Sequence, residues 1–403
     1  MVLIPQTAAA PTIDAAALRG RPGMARLLDA LGAHEGLTRL VGGAVRDELL
    51  GLAGNDFDLA TRLHPDEVVK RLQHARIKAV PTGIAHGTVT AITDGQAVEV
   101  TTLRRDVSTD GRRATVAFTD DWREDAARRD FTINALSADP VSGQVFDYFD
   151  GVADLGERRV RFIGDPLERI AEDHLRILRY FRFHARFGTS APDPDALGAC
   201  TTRANDLMAL SRERIADELL KLLGLPDPAA TVGIMLQHAI LRPVLPEIEP
   251  PQLCDLEALI AAELNAGVAR DALRRLSALL PPDPLTAERI AARLKFSNRA
   301  RKRLACAAVR DIGPPPRALA YRVGTECATD RLLLGSRPEA VADLRAWDMP
   351  RLPIGGGALI ARGVPEGPAV ARVLRQIEDR WILSGFPEGP QFERIVAEEV
   401  TAG

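Results

Sequence analysis

Asp56 and Asp58 lie one residue apart in the stretch NDFDLAT, and this spacing suits metal-assisted chemistry. The surrounding apolar residues are typical of a short β-strand, in which alternate side chains point to the same face. Two carboxylates on one face repel each other unless a cation lies between them, and carboxylates with phosphate oxygens are ligands that Mg²⁺ prefers. Such ions can activate an attacking hydroxyl and stabilise a leaving pyrophosphate. Taken alone, two aspartates at this spacing could instead belong to an exposed turn.

A glycine pair and an arginine precede these aspartates in LVGGAVRDELL, and a further carboxylate follows them. Gly42 and Gly43 indicate a tight turn between a strand and a helix, where the backbone could approach phosphate oxygens and Arg46 could donate hydrogen bonds. The spacing is neither GxGxxG nor a P-loop. Glu99, in QAVEVTTL, offers a third carboxylate on a second strand. If its strand lies at the edge of a sheet, Glu99 could equally be a charged residue that points to solvent.

The organisation of the 403 residues predicts a mixed module followed by helices. Five β-type runs fall within residues 37–150 (TRLVGG, FDLAT, GTVTAIT, QAVEVTTL and VFDYFD), and strand signals nearly vanish after Gly151. The helical period of PLERIAEDHLRILRYFRFHARFG predicts one long helix over 166–188. Proline-rich breaks at 246–252, 280–284 and 313–317 are candidate joints between domains or subdomains.

The four cysteines are scattered without CxxC or matching histidine spacing, so we expect neither a zinc site nor a disulfide framework. This pattern predicts a reducing cytoplasm. The first twenty residues lack the features of a secretory signal, although their scarcity of acids leaves a transit peptide as an alternative. No stretch is long and apolar enough to predict a membrane span, so we expect no membrane partner.

The net charge of −3 argues against indiscriminate nucleic-acid coating, but residues 270–322 carry thirteen Lys or Arg against four Asp or Glu. A solvated helix face is the usual interpretation of such a run. A phosphate-binding surface becomes the better interpretation if the catalytic end of the chain also points to nucleic acid.

Three ordered motifs, LVGGAVRDELLGLAGNDFDLAT, RRDFTINALSADP and EDHLRILRYFRF, resemble the class II tRNA nucleotidyltransferases, the CCA-adding enzymes. These belong to the polymerase-β-like nucleotidyltransferase superfamily, together with bacterial poly(A) polymerases. The resemblance is strong over 37–223 and weaker beyond, where LPIGGGALIARG and GPAVARVLRQIEDRWILSG are similar to the family's carboxy-terminal region.

The resemblance implies an α+β fold, in which a small mixed-sheet nucleotidyltransferase head is followed by an elongated, mostly helical neck, body and tail. The implied boundaries are an N-terminal extension at 1–30, the catalytic head at 31–155, the neck with its nucleotide-base-binding helix at 156–225, and an RNA-binding body and tail at 226–403. The oligomeric state is not predicted.

The resemblance also implies a role for each motif. Asp56 and Asp58 would hold catalytic Mg²⁺, with Glu99 as the third carboxylate. The remaining nucleotide-binding residues would contact triphosphate, ribose or base: Gly42, Gly43, Arg46, Arg129, Asp130, Asn134, Asp173, Arg176, Arg179 and Arg182. The partners would be the tRNA 3′ end, with CTP and ATP as substrates.

Asp173 and Arg176 are the residues that the family uses to select the base. Cytosine and adenine both present an exocyclic amine beside a ring-nitrogen acceptor, whereas uracil and guanine present a carbonyl beside an N–H. One carboxylate next to one guanidinium therefore pairs with C and A only. The spacing of Asp173, Arg176, Arg179 and Arg182 would also fit a solvated charge stripe on a helix.

The resemblance therefore implies template-independent addition of C, C and A to tRNA, with release of pyrophosphate. The polar stretch at 104–125 resembles the flexible loop that full CCA-adding enzymes need for the final A. No His-Asp pair occurs in the chain, so we expect no phosphohydrolase domain of the kind that some relatives carry. The alternatives are a bacterial poly(A) polymerase, a CC-adding or A-adding enzyme, and a non-catalytic RNA-binding protein with a degenerate head.

Overall fold

The computed structural model describes residues 11–52, 57–109, 114–189 and 191–402. Its chain divides into two compact units. Unit 1 comprises Met1–Glu218 with His238–Val244, and unit 2 comprises Leu219–Gln237 with Leu245–Gly403. The division into extension, head, neck and body stays a prediction.

The head sheet in unit 1 has seven strands and is mixed, as predicted. The strands are β1 (Thr38–Val41), β2 (Asp58–Thr61), β3 (Lys78–Gly83), β4 (Thr88–Thr93), β5 (Gln96–Thr102), β8 (Ser137–Ala138) and β9 (Val145–Phe146), with β6 (Arg104–Thr109) and β7 (Ala114–Phe118) forming a separate hairpin. The order across the sheet is β3-β4-β5-β2-β1-β8-β9. Strand β2 runs parallel to β5 and antiparallel to β1, so β2 lies in the interior of the sheet.

Two expectations for the strands need correction. Strand β3 escaped the pattern analysis because Pro81 interrupts its run, and prolines are tolerated on edge strands such as this one. The stretch at 104–125, expected to be a loop, contains the β6–β7 hairpin and the start of a helix at Trp122. Residues 110–113 of that stretch lie outside the described residues.

Helices pack on the sheet and form the main core of the head with it. The helices that begin in unit 1 are α1 (Ala15–Arg19), α2 (Met24–Ala30), α3 (Gly43–Leu49), α4 (Pro65–His74), α5 (Trp122–Ala127), α6 (Gly151–Gly156), α7 (Pro166–Glu172), α8 (Arg176–Phe187), α9 (Pro194–Thr202) and α10 (Arg212–Leu223). Leu27 of α2 and Leu72 of α4 pack with Val89 and Val100 of the sheet, and all four are fully buried. Residues 11–30 thus contribute to the same core as strands β2, β4 and β5.

The predicted long helix over 166–188 is wrong: α7 ends at Glu172 and α8 begins at Arg176. Asp173 between them has extended backbone angles, φ −151° and ψ 105°. Its carboxylate accepts a hydrogen bond from the Leu175 amide at 3.1 Å, which is the local bond by which aspartate competes with a helix. Asp173 therefore does not lie on the same helix face as the arginines of α8.

Unit 2 is helical, and no strand follows Phe146 in the described part of the chain. Its helices are α11 (Ala229–Gln237), α12 (Gln252–Asn265), α13 (Ala272–Leu279), α14 (Pro284–Arg293), α15 (Asn298–Ala308), α16 (Pro316–Val323), α17 (Thr325–Leu334), α18 (Ala342–Arg345), α19 (Gly356–Ile360), α20 (Pro368–Leu383) and α21 (Gly389–Ala402). The three proline-rich breaks separate helices inside this unit. None of the helices in the described residues is long and apolar enough to cross a bilayer.

The basic run at 270–322 is largely neutralised by acids of unit 2, most of which lie outside the run. Arg274 and Arg275 are buried and both bond Glu263, and Arg303 bonds the buried Asp330. Further ion pairs join Arg293 to Glu247, Arg299 to Glu326, Arg301 to Glu288, Arg310 to Asp255 and Arg322 to Asp379. The excess of positive charge in the sequence is therefore not a continuous positive surface in the fold.

A disulfide joins Cys306 of α15 to Cys327 of α17, contrary to the expectation of no disulfide. Cys200, which is buried, and Cys254, which is exposed, are free. The pairing had no signature in the sequence because the two cysteines become neighbours only when α15 packs on α17. The disulfide also removes the argument for a reducing compartment that rested on cysteine spacing.

Thiol titration of the denatured protein tests this pairing. We expect two reactive thiols before reduction and four after it, because Cys306 and Cys327 are joined. The double variant Cys306→Ser/Cys327→Ser should lose about 2–4 kcal/mol of unfolding free energy, the usual effect of removing a crosslink. Cys254→Ser serves as the control and should leave stability unchanged. Four thiols before reduction would contradict the pairing.

Candidate active site

A cavity of about 590 Å³ in unit 1 gathers most of the residues that the sequence singled out. Eleven of them line it: Gly42, Gly43, Arg46, Asp58, Arg129, Asp130, Asn134, Asp173, Arg176, Arg179 and Arg182. Arg128 and Phe183, which the sequence analysis did not assign, line it as well. Six arginines and three aspartates face this space, so the cavity carries net positive charge suited to a polyanion.

The glycine turn between β1 and α3 forms one wall of this cavity. Gly42 has φ 68° and ψ −130°, a conformation that is open to glycine and strained for other residues. A Cβ atom at Gly42 would come within 2.8 Å of Nη1 of Arg129. The glycine therefore permits both the turn and the close approach of Arg129.

Substituting Gly42 tests this requirement. We expect Gly42→Ala to lower the unfolding free energy by about 1–3 kcal/mol through backbone strain. It should also raise KM for the nucleoside triphosphate that the sequence analysis predicts at this site severalfold, because the new methyl group displaces Arg129. Gly156→Ala is the matched control, since nothing lies within 4 Å of a Cβ there and its φ is not positive. Equal stability and KM in the two variants would contradict the prediction, and thermal denaturation with steady-state kinetics would measure both.

Arg46 is held rigidly at the base of the cavity and is 5% exposed. Its Nε donates to Asp47 at 2.8 Å, its Nη1 donates to the side-chain oxygen of Asn134, and its guanidinium carbon lies 4.2 Å from the ring centre of Phe187. Burial lowers the pKa of Arg46, although Asp47 opposes that effect. These contacts fix the plane of the guanidinium before any ligand binds.

Asp58 and Glu99 occupy directly paired positions on the parallel strands β2 and β5. Both are exposed, and both line a second cavity of about 230 Å³. Asp58 also lines the larger cavity, so it borders both spaces. Asp56 lies outside the described residues.

The donor set at this position fits a hard cation. The described residues, which do not include Asp56, contain no group of three or more His, Cys, Asp or Glu that could hold a metal ion. Two exposed carboxylates at paired strand positions, bordering a space for phosphate oxygens and water, are the ligands that Mg²⁺ takes in nucleotide enzymes.

Asp130 and Asn134 link the RRDFTINA motif to α8. Asp130 accepts from Arg179 Nε at 2.8 Å, and its other oxygen accepts from Asn134 Nδ2 at 2.9 Å. Burial alone would raise the pKa of Asp130, but Arg179 and these hydrogen bonds outweigh it, so the pKa lies below its usual value. Burial lowers the pKa of Arg129, which bonds Asp125 at 3.4 Å.

Arg179 and Arg182 are anchored by Glu218 of α10, which is 3% exposed. Arg182 Nε donates to Glu218 at 2.6 Å. Burial would lower the pKa of Arg179, but Asp130 and Glu218 more than offset this and raise it. The sequence analysis missed Glu218, although a carboxylate on the apolar stripe of Ile215 and Leu219 was a usable sign of a buried ion pair.

Asp173 and Arg176 are each held by partners from other segments. Asp173 accepts from Arg214 of α10 at 2.7 Å. Arg176 donates to Glu172 at 2.5 Å, to the carbonyl of Arg169 at 2.9 Å and to that of Arg128 at 3.1 Å. Nothing in the sequence pattern identified Arg214 or Glu172 as partners of this pair.

Comparisons with known proteins identify the family of this chain. The family described as "Poly A polymerase head domain" matches residues 38–161, and the one described as "Probable RNA and SrmB- binding site of polymerase A" matches residues 191–250. The CCA tRNA nucleotidyltransferase 1, mitochondrial, of Mus musculus is 34% identical over 86% of this chain and 83% of its own length. The chain belongs to the CCA-adding enzyme family. As a member of that family it is a tRNA nucleotidyltransferase.

Two further relatives support the membership. The CCA-adding enzyme of Levilactobacillus brevis is 33% identical over 86% of this chain and 90% of its own length. The crystal structure of the Bacillus stearothermophilus CCA-adding enzyme in complex with CTP superposes with a TM-score of 0.75 at 27% identity, over 95% of this chain and 99% of that one. The family resemblance and the α+β fold class predicted from sequence are thereby confirmed.

Proposed function

We propose that this chain adds C, C and A in turn to the 3′ end of tRNA, using CTP and ATP and releasing pyrophosphate. The observation that carries the proposal is the single cavity that joins the glycine turn, the RRDFTINA motif and the EDHLR motif, with Asp58 at its edge. Family membership supplies the substrates, because the mouse relative is named for tRNA and the superposed structure for CTP.

In the proposed reaction the 3′-hydroxyl of the tRNA attacks the α-phosphate of the nucleotide, and the bond to pyrophosphate breaks. The triphosphate binds the positive wall of the cavity, where Gly42 and Gly43 leave room and Arg46, Arg129, Arg179 and Arg182 donate hydrogen bonds. Asp130 and Asn134 keep this wall in place. As the family resemblance implies, they would contact the ribose from there.

Asp56, Asp58 and Glu99 would hold Mg²⁺. When bound there, the metal would favour ionisation of the attacking hydroxyl and offset the negative charge of the leaving pyrophosphate. The protein's own contribution is to hold the carboxylates on neighbouring strands beside the arginine wall, so that positioning and electrostatics supply most of the rate.

Asp173 and Arg176 select the base in this proposal. The Asp173 carboxylate accepts from the exocyclic amine of C or A, and the Arg176 guanidinium donates to the adjacent ring nitrogen. Uracil and guanine would place a carbonyl against the carboxylate and an N–H against the guanidinium. Such mispaired groups can cost a factor on the order of 10⁴ in selectivity.

Incorporation of single labelled nucleotides tests the proposal. The purified protein is offered tRNA ending before CCA, after C and after CC, each with one labelled nucleotide and Mg²⁺. Ordered addition that stops at CCA supports the proposal. An open-ended A tail would instead indicate a poly(A) polymerase, two C residues a partial enzyme, and no incorporation a binding protein.

Residues 226–403 are proposed to bind RNA, although the basic run no longer supports this as a continuous surface. Arg289 and Lys302 of the run are exposed and offer two candidate phosphate contacts. We expect Arg289→Gln/Lys302→Gln to raise KM for tRNA, with KM for CTP unchanged. The salt slope of tRNA binding should fall by roughly 0.7–0.9 for each phosphate that is no longer neutralised.

A matched control for this variant is Arg322→Gln, because Arg322 is already paired with Asp379 at 2.9 Å. An unchanged tRNA affinity and salt slope in the double variant would contradict the proposed contacts.

The cytoplasm is the proposed location, while the mouse relative is named as mitochondrial.

A further inference from the structure

The two base-reading residues have an intrinsic tendency to pair with each other. An aspartate and an arginine three residues apart are within reach of each other in a helical turn. An ion pair between Asp173 and Arg176 would occupy the acceptor and the donor that the proposed base recognition requires. The fold therefore has to hold the two groups apart.

Arg214 holds the carboxylate from one side. Its Nη2 donates to Oδ2 of Asp173 at 2.7 Å, while the Leu175 amide donates to Oδ1 at 3.1 Å. Each carboxylate oxygen thus has one fixed donor and keeps a lone pair for a further one. Asp173 has extended backbone angles, so these two donors fix its side chain at the end of α7.

Arg176 is held separately. Its guanidinium donates to Glu172, which also bonds Arg169, and to the carbonyls of Arg128 and Arg169. Because Asp173 pairs with Arg214 and Arg176 pairs with Glu172, neither has to neutralise the other. The structure therefore contains two separate ion pairs, Asp173–Arg214 and Arg176–Glu172. They replace the Asp173–Arg176 pair that the sequence spacing would favour.

We propose that Arg214 is a positioning residue for base selection, which keeps the Asp173 carboxylate oriented and apart from Arg176 so that both face the incoming base. The proposal rests on the proposed base-reading role of Asp173 and Arg176. Arg214 lies on α10, 41 residues from Asp173, and makes no contact with the base itself in this role. Its side chain is 41% exposed, so removing it costs little folding stability.

The test compares selectivity for CTP over UTP, as the ratio of their kcat/KM values, on tRNA ending before CCA. We expect Arg214→Ala to lower this ratio at least about tenfold, in the range of coupling between contacting residues, with an unchanged melting temperature and tRNA affinity. Arg214→Lys should restore part of the ratio, because it keeps the charge. Arg212→Ala, on the same helix two residues away, is the matched control and should leave the ratio unchanged.

A double-variant cycle separates this proposal from the proposed function. If Arg214 acts through Asp173, then Arg214→Ala should have no further effect on selectivity in an Asp173→Ala background. Loss of selectivity in Asp173→Ala with full selectivity in Arg214→Ala would overturn the positioning role alone. Full selectivity in Asp173→Ala would overturn the base-reading role itself, and with it this proposal.

Discussion

Replacing Asp58 with alanine is expected to abolish nucleotide transfer while tRNA still binds. Asp58 borders both cavities and is paired with Glu99 across the parallel strands β2 and β5. Loss of an outer partner of a metal ligand already costs about 10–100-fold, so loss of a direct ligand should cost about a thousandfold or more. We expect the same of Asp56→Ala and Glu99→Ala. Single-turnover incorporation of labelled CTP measures the effect, and gel-shift titration measures tRNA affinity.

The control for this prediction is Asp66→Ala, which removes an exposed aspartate from α4 of the same unit. It should leave transfer unchanged. Substituting Mn²⁺ for Mg²⁺ gives a second measurement, because a metal-ligand variant should shift the metal dependence of the residual rate and a folding defect should not. Near-normal transfer in Asp58→Ala would end the proposal for this site.

The second large effect is expected at the base-reading pair. Asp173→Ala or Arg176→Ala should relax the preference for CTP and ATP over UTP and GTP by roughly 10²–10⁴-fold, because each removes half of the donor and acceptor pattern. Transfer itself should persist at a reduced rate, since the arginine wall and the carboxylates stay in place. Competition between labelled CTP and UTP measures the preference.

A conservative variant makes this prediction sharper. Asp173→Asn keeps the size of the side chain but adds an amide donor, so it should tolerate the carbonyl of uracil better than Asp173→Ala does. Retained selectivity in both Asp173→Ala and Arg176→Ala would refute the base-reading role. The same outcome would leave the proposed metal site untouched, because that site is tested by Asp58→Ala.

Four of the five predicted β-type runs became strands of three or more residues because their own residues carry the strand pattern. In β4 buried and partly buried residues alternate, and in β5 Val98 and Val100 enter the core while Glu99 stays exposed. The run VFDYFD yielded only the two-residue strand β9. Period-two patterning also explains why Glu99 could be picked out as a site residue from sequence.

Two expectations, the long helix and the absence of a disulfide, failed because of contacts that the sequence pattern does not show. The helical period of residues 166–188 is real, but the break at Asp173 depends on a carboxylate that bonds Leu175 and Arg214. The disulfide depends on the packing of α15 against α17. In each case the deciding contact joins segments whose separation along the chain follows no periodic rule.

The sequence by itself determined the family, the fold class and the eleven residues that line one cavity, because motifs of fixed spacing carry that information locally. Only the tertiary structure decided which charged side chains line that cavity and which form ion pairs with other residues of the protein. The arginines of residues 270–322 meet carboxylates from other helices, and Asp173 meets Arg214 rather than Arg176. Charge pairing acts through space over a few ångströms, so its partners are set by the fold and not by order along the chain.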